Sequence, residues 1–411
     1  HDTVRRQRQM CIRDSGVTGK SVENYLSNKN AEYLIFDDLE ENLNKVHHSK
    51  IFSEKNIDQI DIVIISPGIK PDHYLLEQLV SKNVSLKTDI DIFSENYKGK
   101  VIGVTGTNGK TTFVNELNKF LNINDVHSAS AGNIGISPLD LIGTSYEYII
   151  LELSSYQLHY TSNLNLNMAV ILNIFPDHID WHDTFDNYVS SKTKILSFLS
   201  KGKSERKIIG SNMGKVEKNL PNNFDIKSKN NLKVHRELLL SLGEATKIIG
   251  GVELYNKYLE YIKKYEIKYP HRMEQFFELK NKNITFFNDS KATNYHAVSE
   301  ATKLFTSGKE EGILILHGIT KETVENKLNL DPVFKYVIIP EDMNIKLGDH
   351  NAEIIHIKHI SNLKDVLVKV LGSNQVVLFS CGGSSFNDFE DYQVRGDYFK
   401  NTILSMELQD D

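Results

Sequence analysis

The stretch that decides the fold is GVTGTNGKTT, Gly103–Thr112. The apolar run KVIGV leads into it, and TTFVNELNKFL follows with the apolar spacing of an amphipathic helix. A strand, a glycine-rich turn and a helix in this order form a phosphate cradle, because backbone N–H groups and the helix dipole point at the anion. The strict Gly-x-x-x-x-Gly-Lys-[Ser/Thr] pattern requires glycine at position 104, where Val104 stands, so this loop is a variant.

The residues that close this loop have the side chains that a nucleotide site needs. Lys110 is placed to reach the β- and γ-phosphates, and the hydroxyl of Thr111 or Thr112 to bind Mg²⁺. The alternative is a tight turn that carries a surface lysine. Two threonines directly after Gly-Lys, between a strand and a helix, favour the nucleotide site.

Composition excludes several classes of protein. The chain has 411 residues, enough for two or three domains, and a net charge of -6 gives no general attraction to nucleic acid or anionic membranes. No apolar run approaches the roughly 20 residues that span a bilayer, and no apolar stretch follows the basic N-terminus as in a secretory signal. The cysteines Cys11 and Cys381 have neither disulfide nor metal-ligand spacing. We expect a cytoplasmic protein and a monomer.

The first residues differ from the rest of the chain. HDTVRRQRQMCIRDS, residues 1–15, has no apolar periodicity and resembles translated adapter sequence more than protein. A basic arm that binds nucleic acid is the alternative, although four arginines are too few to be specific. We therefore expect a non-native segment over 1–15, outside the fold, and a first block that lacks its first strand.

Three α/β blocks follow. In residues 16–97 the strand runs AEYLIFDD and IDIVIISPGI alternate with helical patterns, which predicts a parallel sheet. Residues 98–268 contain the apolar runs KVIGVTG, YEYIILEL and MAVILNI, typical of buried parallel strands. Residues 269–411 repeat the alternation with NITFFND, GILILHG, YVIIP and QVVLFSCGG. The fold class is α/β throughout.

Carboxylates and histidines near strand ends are candidate metal ligands. Glu152 ends a buried strand, where a carboxylate is costly unless it meets a cation such as Mg²⁺ or a lysine. The stretch NIFPDHIDWHD, with Asp177, His178, Asp180, His182 and Asp183, is open to interpretation as a zinc cluster. Hard oxygen ligands with one or two histidines suit Mg²⁺ and substrate phosphate at least as well.

An ordered set of motifs resembles the Mur ligase family of peptidoglycan precursor synthesis. The set comprises GVTGTNGKTT, AGNIG, ILELSSYQL, NIFPDHIDWHDTFDNYVSSKTK, YPHRMEQ and NDSKATN. With the softer matches GVTGKS, SPGI, ILHGITK and SCGGSSFNDFEDYQVRGDYF, the resemblance covers residues 16–411. The resemblance implies a Rossmann-like N-terminal domain over 16–97, a P-loop ATPase domain over 98–268 and a Rossmann-like amino-acid-binding domain over 269–411. Within the family, LSSYQL and NDSKATN resemble the member that joins D-glutamate to UDP-N-acetylmuramoyl-L-alanine.

The resemblance implies ATP and Mg²⁺ as cofactors. It assigns Lys110, His178 and Lys192 to catalysis, with Lys192 as the carbamylated lysine of the family and Lys194 as the neighbouring alternative. Metal binding falls on Thr111, Glu152, His178 and Lys192. The nucleotide contacts are Gly106, Thr107, Asn108, Gly109, Lys110, Thr111, Thr112, Arg272 and Asp289.

The resemblance also implies where the other substrates bind. It implies that UDP-N-acetylmuramoyl-L-alanine binds to the first two blocks and D-glutamate to the third. The substrate residues are Val17, Thr18, Asp37, Gly68, Asn133, Thr293, Lys321, Ser385 and Tyr392. A family motif near the adenine is absent around His235. A sister ligase for another amino acid, or a damaged non-catalytic homologue, is the alternative.

Overall fold

The computed structural model describes residues 8–12, 17–38, 43, 51–200, 202, 206–210, 236–264, 269–305, 311–320 and 327–406. Their contacts form two compact units. Unit 1 draws on 1–174, 181–219 and 238–258, and unit 2 on 175–180, 220–237 and 259–411. Among the helices in the described ranges, none is long and apolar enough to cross a membrane.

Unit 1 begins with a parallel four-stranded sheet. Its strands are β1 (Arg8–Ile12), β2 (Glu32–Phe36), β3 (Ile62–Ile65) and β4 (Ser85–Lys87), in the spatial order β2-β1-β3-β4. Its helices are α1 (Val17–Asn28), α2 (Tyr74–Ser81) and α3 (Asp89–Asn96). The alternation predicted for residues 16–97 is confirmed.

The expectation that this sheet lacks its first strand is wrong. Strand β1 pairs in parallel with β2 on one side and β3 on the other, so that Met10 lies opposite both Leu34 and Val63. Pairing on both edges satisfies the backbone N–H and C=O groups of the segment. This tertiary pairing makes a strand where no apolar alternation predicts one. Residues 8–12 therefore belong to the fold, and the foreign origin of residues 1–15 stays a hypothesis.

The second sheet of unit 1 has five parallel strands. They are β5 (Lys100–Thr105), β6 (Ser128–Gly132), β7 (Tyr148–Glu152), β8 (Met168–Ile171) and β9 (Lys207–Ile209), in the order β6-β7-β5-β8-β9. The helices are α4 (Lys110–Ile123), α5 (Ser155–Tyr160), α6 (Ile179–His182), α7 (Phe185–Thr193) and α8 (Arg236–Lys264), the last kinked at Gly250 and Gly251. The glycine-rich turn thus leaves the central strand, the position that the sequence predicts for it.

One hydrophobic core joins the two sheets of unit 1. Ile64 of β3 and Ile90 of α3 belong to the same buried cluster as Val101 of β5 and Leu151 of β7. The buried carboxylate of Asp91 adds a polar link, because it accepts hydrogen bonds from backbone N–H groups at both Thr88 and Asn163. Most of the first two predicted blocks therefore lies in one compact unit, and their boundary near residue 97 stays a prediction.

Unit 2 contains a six-stranded sheet. Its strands are β10 (Glu274–Leu279), β11 (Ile284–Asp289), β12 (Glu311–His317), β13 (Phe334–Pro340), β14 (Glu353–Ile357) and β15 (Gln375–Gly382), in the order β10-β11-β15-β12-β13-β14. All neighbours are parallel except β10, which runs antiparallel to β11. The helices are α9 (Tyr295–Thr302), α10 (Leu363–Val370) and α11 (Tyr392–Leu404). The α/β class expected for residues 269–411 is confirmed.

Candidate active site

The glycine-rich loop between β5 and α4 is held from the next strand. Thr107 N–H donates to the carbonyl O of Asn173 at 3.0 Å, and Asn108 N–H donates to Asn173 Oδ1 at 2.9 Å. Gly109 caps α4 with φ +83°, a left-handed conformation that favours glycine. The loop therefore has a fixed shape at the N-terminus of a 14-residue helix, where anions are stabilised.

Two lysine ammonium groups converge on this loop. Lys110 Nζ and Lys192 Nζ each lie 2.8 Å from the carbonyl O of Gly106. Lys110 also donates to the carbonyl O of Thr107 at 3.0 Å, so its side chain lies back along the loop. Two cations next to backbone N–H groups make this part of unit 1 attractive to a polyphosphate.

Lys192 is buried by its own helix. Its side chain is 2% exposed, and its Nζ lies 4.7 Å from the ring centroid of Tyr188, one helical turn earlier in α7. The Tyr188 hydroxyl shares a hydrogen bond of 2.9 Å with Thr107 Oγ1 in the loop. Helix α7 is therefore tied to the loop at two points, and Lys192 is directed at it.

Lys194 points elsewhere. Its Nζ donates to the carbonyl O of His159 at 2.8 Å, and burial lowers the pKa of its ammonium, which Asp91 partly offsets. Lys194 also lies beyond the end of α7, in the short 3₁₀ turn Lys194–Phe198. Of the two candidate lysines, Lys192 is the one in contact with the glycine-rich loop.

Glu152 is a buried carboxylate at the carboxyl edge of the central sheet. It pairs with Val104 across β7 and β5, and its side chain is 2% exposed. One carboxylate oxygen accepts from Asn133 Nδ2 at 3.1 Å, whereas the buried Oε2 has no hydrogen-bond partner among the residues that the structure describes. An unsatisfied, buried carboxylate oxygen is costly, and a hard divalent cation would satisfy it. Half-buried Thr111, in the first turn of α4, is the hydroxyl expected beside it.

The histidines of NIFPDHIDWHD do not form one cluster. His178, in unit 2, has the strained φ of +55°, and its backbone N–H donates to Asp177 Oδ1 at 2.9 Å. His182, in unit 1, has Nε2 3.0 Å from Ser155 Oγ and packs against the rings of Tyr156 and Trp181. No group of three or more His, Cys, Asp or Glu side chains poised for a metal occurs in the described ranges. The zinc interpretation is therefore unsupported.

Unit 2 brings together the two residues outside the glycine-rich loop that are expected to hold the nucleotide. Asp289, at the end of β11, accepts from the N–H of Met273 at 3.1 Å and from Ser380 Oγ at 2.8 Å. Burial raises the pKa of the Asp289 carboxyl to about 7, although these hydrogen bonds and the charge of Arg272 oppose the shift. A carboxyl so perturbed at the carboxyl edge of a parallel sheet is typical of a functional site.

The expected amino-acid contacts of unit 2 lie on loops at the same edge. Thr293 follows β11, and buried Ser385 follows β15, each within four residues of its strand. Tyr392 begins α11, and Lys291 Nζ lies 3.9 Å above its ring. Lys321 lies outside the described residues.

The residues expected to hold the uridine nucleotide follow strands of the first sheet. Val17 and half-buried Thr18 begin α1 after β1, and buried Asp37 directly follows β2. Gly68 lies beyond β3, where its carbonyl O accepts from Trp181 Nε1 at 3.3 Å. The structure thus places all four at the carboxyl edge of one parallel sheet.

Comparisons with known proteins agree with this geometry. A model of the Mur ligase middle domain matches residues 104–236. A UDP-N-acetylmuramoylalanine–D-glutamate ligase of Thermosipho melanesiensis is 31% identical over 373 residues, which cover 85% of this chain and 84% of that protein. This chain belongs to the Mur ligase family. A ligase of the same name from Francisella tularensis subsp. holarctica is 28% identical over 95% of both chains.

Solved Mur ligase structures share the fold. A pseudomurein peptide ligase type C from Methanothermus fervidus superposes with a TM-score of 0.53 at 15% identity, over 97% of this chain and 100% of that one. MurF ligase from Thermotoga maritima, in complex with ADP, gives a TM-score of 0.51 at 13% identity, over 100% of this chain and 99% of that one. At these identities the likeness concerns the fold alone.

Two residues of this Mur ligase hold the glycine-rich loop, and a third is buried, in ways that the sequence did not predict. Asn173 holds the glycine-rich loop through its side chain and backbone, and Tyr188 anchors α7 to the same loop. Arg395 is fully buried in unit 2. The position of Asn173 directly after an apolar strand run was a signal for the first of them. The burial of Arg395 had no signal in the sequence, because its partners are mostly backbone carbonyl oxygens, which any residue supplies.

Proposed function

We propose that this Mur ligase joins D-glutamate to UDP-N-acetylmuramoyl-L-alanine at the expense of ATP. The names of its relatives support the substrates. The observation that carries the ATP-dependent step is the ammonium group of Lys110 at 2.8 Å from Gly106 O, on a loop shaped for phosphate. UDP-linked sugars and ATP are cytoplasmic metabolites, so we expect the reaction in the cytoplasm.

The reaction has two bond-forming steps. The alanyl carboxylate attacks the γ-phosphorus of ATP, ADP leaves, and an acyl phosphate results. The D-glutamate amine then attacks the acyl carbon, loses a proton, and phosphate leaves with the former carboxylate oxygen. Charge on the transferring phosphoryl group has to be neutralised in the first step. The ammonium group of Lys110 supplies the neutralising positive charge when its side chain turns from the carbonyl oxygens of the loop to the phosphates.

Magnesium fits the residues beside the loop. Glu152 offers an oxygen without a hydrogen-bond partner among described residues, and Thr111 and a carbamylated Lys192 of the same unit would add two more ligands. The family resemblance adds His178 to this set. When bound, Mg²⁺ neutralises the phosphate oxygens and fixes their orientation. The protein residues orient the loop whether or not the ion is bound, because Asn173 and Tyr188 hold it directly.

Carbamylation of Lys192 is part of the proposal. The ammonium group first releases a proton; the neutral amine then attacks CO₂ and loses a second proton, which leaves a carbamate whose carboxylate suits Mg²⁺. Burial at 2% exposure supports it, since a buried ammonium is costly and the neutral form is the one that reacts. The contact of Lys192 with the loop, and of Lys194 with His159, favours Lys192 over Lys194.

We assign the remaining substrate contacts by unit. Asp289 and Arg272 hold the nucleotide. Residues at the carboxyl edge of the first sheet, Val17, Thr18, Asp37 and Gly68, hold the uridine diphosphate, and Asn133 lies beside Glu152 for the sugar. The D-glutamate residues are Thr293, Lys321, Ser385 and Tyr392. We expect the protein to act as a monomer.

Two alternatives to the proposed function are a sister ligase and a non-catalytic homologue. A sister ligase would use the same ATP loop with another amino acid. A non-catalytic homologue was favoured by the missing first strand, and the presence of β1 removes that support.

Release of phosphate from ATP tests the proposal. With UDP-N-acetylmuramoyl-L-alanine present, phosphate release should depend on D-glutamate and not on L-glutamate, L-alanine or a diamino acid. Dependence on another amino acid would establish a sister ligase. No release with any of them would contradict catalysis.

A further inference from the structure

Arg395 is a buried cation that the proposed reaction does not use. It lies in the first turns of α11 and is 0% exposed, the largest of the fully buried side chains. Burying a guanidinium is unfavourable unless its donors are satisfied. Its partners are one hydroxyl and three backbone carbonyl oxygens. A charge placed among neutral backbone groups suggests a role in fixing the backbone.

The guanidinium bonds to three separate segments. Arg395 Nε and Nη2 donate to Ser290, to Oγ at 3.0 Å and to the carbonyl O at 2.8 Å. Arg395 Nη1 donates to the carbonyl O of His317 at 3.1 Å and of Gly383 at 2.9 Å. The planar fork of arginine can hold several acceptors in one fixed geometry, which a lysine cannot reproduce.

Each of the three segments continues a strand at one edge of the sheet. Ser290 directly follows β11, His317 ends β12, and Gly383 directly follows β15. These strands are adjacent and parallel, with β15 between the other two. Arg395 therefore spans the carboxyl edge of three strands, where ligand-binding loops of parallel sheets lie.

The loops are packed too closely to hold their positions independently. Gly318 has φ +108°, and a Cβ there would overlap Ser384 O and crowd Arg395 Nη1. Ile319 and Ser384 pair through both backbone N–H groups, at 2.9 and 2.8 Å. The Ser290 hydroxyl also donates to the carbonyl O of Tyr392 at 2.8 Å, so the start of α11 joins the same network.

Two of the expected D-glutamate residues lie just beyond these anchors. Thr293 follows Ser290 by three positions, and Ser385 follows Gly383 by two. We infer that Arg395 is a positioning residue for amino-acid binding: it sets the relative positions of the loops after β11 and β15, which carry those contacts, and holds them against the start of the loop after β12. The inference rests on the proposed function, since it requires that these loops bind the amino acid.

The test compares Arg395→Lys and Arg395→Met with Lys400→Met, a control on the same helix. Lys400 is half-buried and pairs with Glu274 and Asp397, so its loss removes two ion pairs but no hydrogen bond of the Arg395 network. Steady-state KM values for D-glutamate, ATP and the UDP-sugar are measured for each full-length variant. A loop displaced by about 1 Å can lose roughly 100-fold in rate or binding.

We expect the KM for D-glutamate to rise about tenfold or more in Arg395→Met, and less in Arg395→Lys, which keeps the charge; tenfold corresponds to about 1.4 kcal/mol. The KM values for ATP and the UDP-sugar should change less than about twofold, and Lys400→Met should match the wild type. If neither Arg395 variant folds by circular dichroism, Ser290→Ala decides by the same criterion. This variant removes the contacts of the Ser290 hydroxyl with Arg395 Nε, the carbonyl O of Tyr392 and Cys381 Sγ.

Two results would overturn the inference. One is an unchanged KM for D-glutamate in folded Arg395 variants, and the other is a parallel rise of all three KM values, which marks a general structural role. Failure of the proposed function is seen separately, because then the wild type itself shows no dependence on D-glutamate.

Discussion

Replacing Asp289 with Asn should change the pH dependence of the free energy of unfolding. Relative to the wild type, the variant should gain stability as the pH rises. The carboxyl is buried, and its pKa is raised from 3.8 to about 7, chiefly by burial. Because the folded state holds this proton at pH values where the unfolded chain has released it, the stabilisation is full at low pH. It is lost as the pH rises through about 7.

The magnitude follows from the two pKa values. Between pH 5 and pH 8, a carboxyl with pKa of about 7 when folded and 3.8 when unfolded loses about 2.6 kcal/mol of folding free energy. The amide of Asn does not titrate, and all other groups are common to both proteins. The difference in stability between Asp289→Asn and the wild type should therefore shift by about 2.6 kcal/mol in favour of the variant.

Hydrogen exchange measures the change in unfolding free energy of unit 2 by itself. The slowest amides of β11 report its unfolding free energy at pH 5 and pH 8, after correction for intrinsic exchange rates. Amides of β5, in unit 1, serve as the internal reference. Glu311→Gln, at an exposed carboxyl of the same sheet, is the matched control and should show no shift. An equal effect of Asp289→Asn at both pH values, or a shift toward the wild type, would refute the reasoning.

Other variants test the remaining assignments. Lys110→Ala should lower kcat by about 100-fold or more, as loss of a contact to transition-state charge does; wild-type turnover would show that the loop does not bind ATP. Lys192→Ala should be nearly inactive and recover partly with acetate or formate, whereas Lys194→Ala should not depend on them; the reverse pattern would assign the modification to Lys194. Lys321→Ala should raise the KM for D-glutamate but not for ATP, and an equal rise in both would contradict its assignment. Asp91→Ala should destabilise unit 1 by about 3 kcal/mol, since buried donors lose their acceptor; Trp181 fluorescence during urea unfolding measures this, and an unchanged midpoint would contradict it.

Strands with apolar runs could be predicted from the sequence, and strands without them could not. The runs at β5, β7, β8 and β15 are buried on both faces and appear as continuous apolar stretches. Strand β6, SASAG, and strand β1, RQMCI, lack such a run. Their pairing with neighbours on the sheet determines them, and tertiary context of that kind is not encoded in local periodicity.

The site was predictable where a motif carries its own chemistry. The loop ending in Lys110 and the carboxylate Glu152 follow from strand ends and residue type, and the structure brings them to one edge of one sheet. Arg395 was not predictable, because its burial depends on three loops that are distant in sequence. Its partners are mostly backbone carbonyl oxygens, which any residue supplies.

The fate of one oxygen atom tests the central claim most directly. UDP-N-acetylmuramoyl-L-alanine labelled with ¹⁸O in its alanyl carboxylate is incubated with the protein, ATP, Mg²⁺ and D-glutamate, and the released phosphate is examined by mass spectrometry. An acyl phosphate requires that each phosphate leaves with one carboxylate oxygen, so one ¹⁸O per phosphate is expected, together with the D-glutamyl amide product. Unlabelled phosphate would mean that water attacks ATP, and would contradict the proposal that this chain forms an amide through an acyl phosphate.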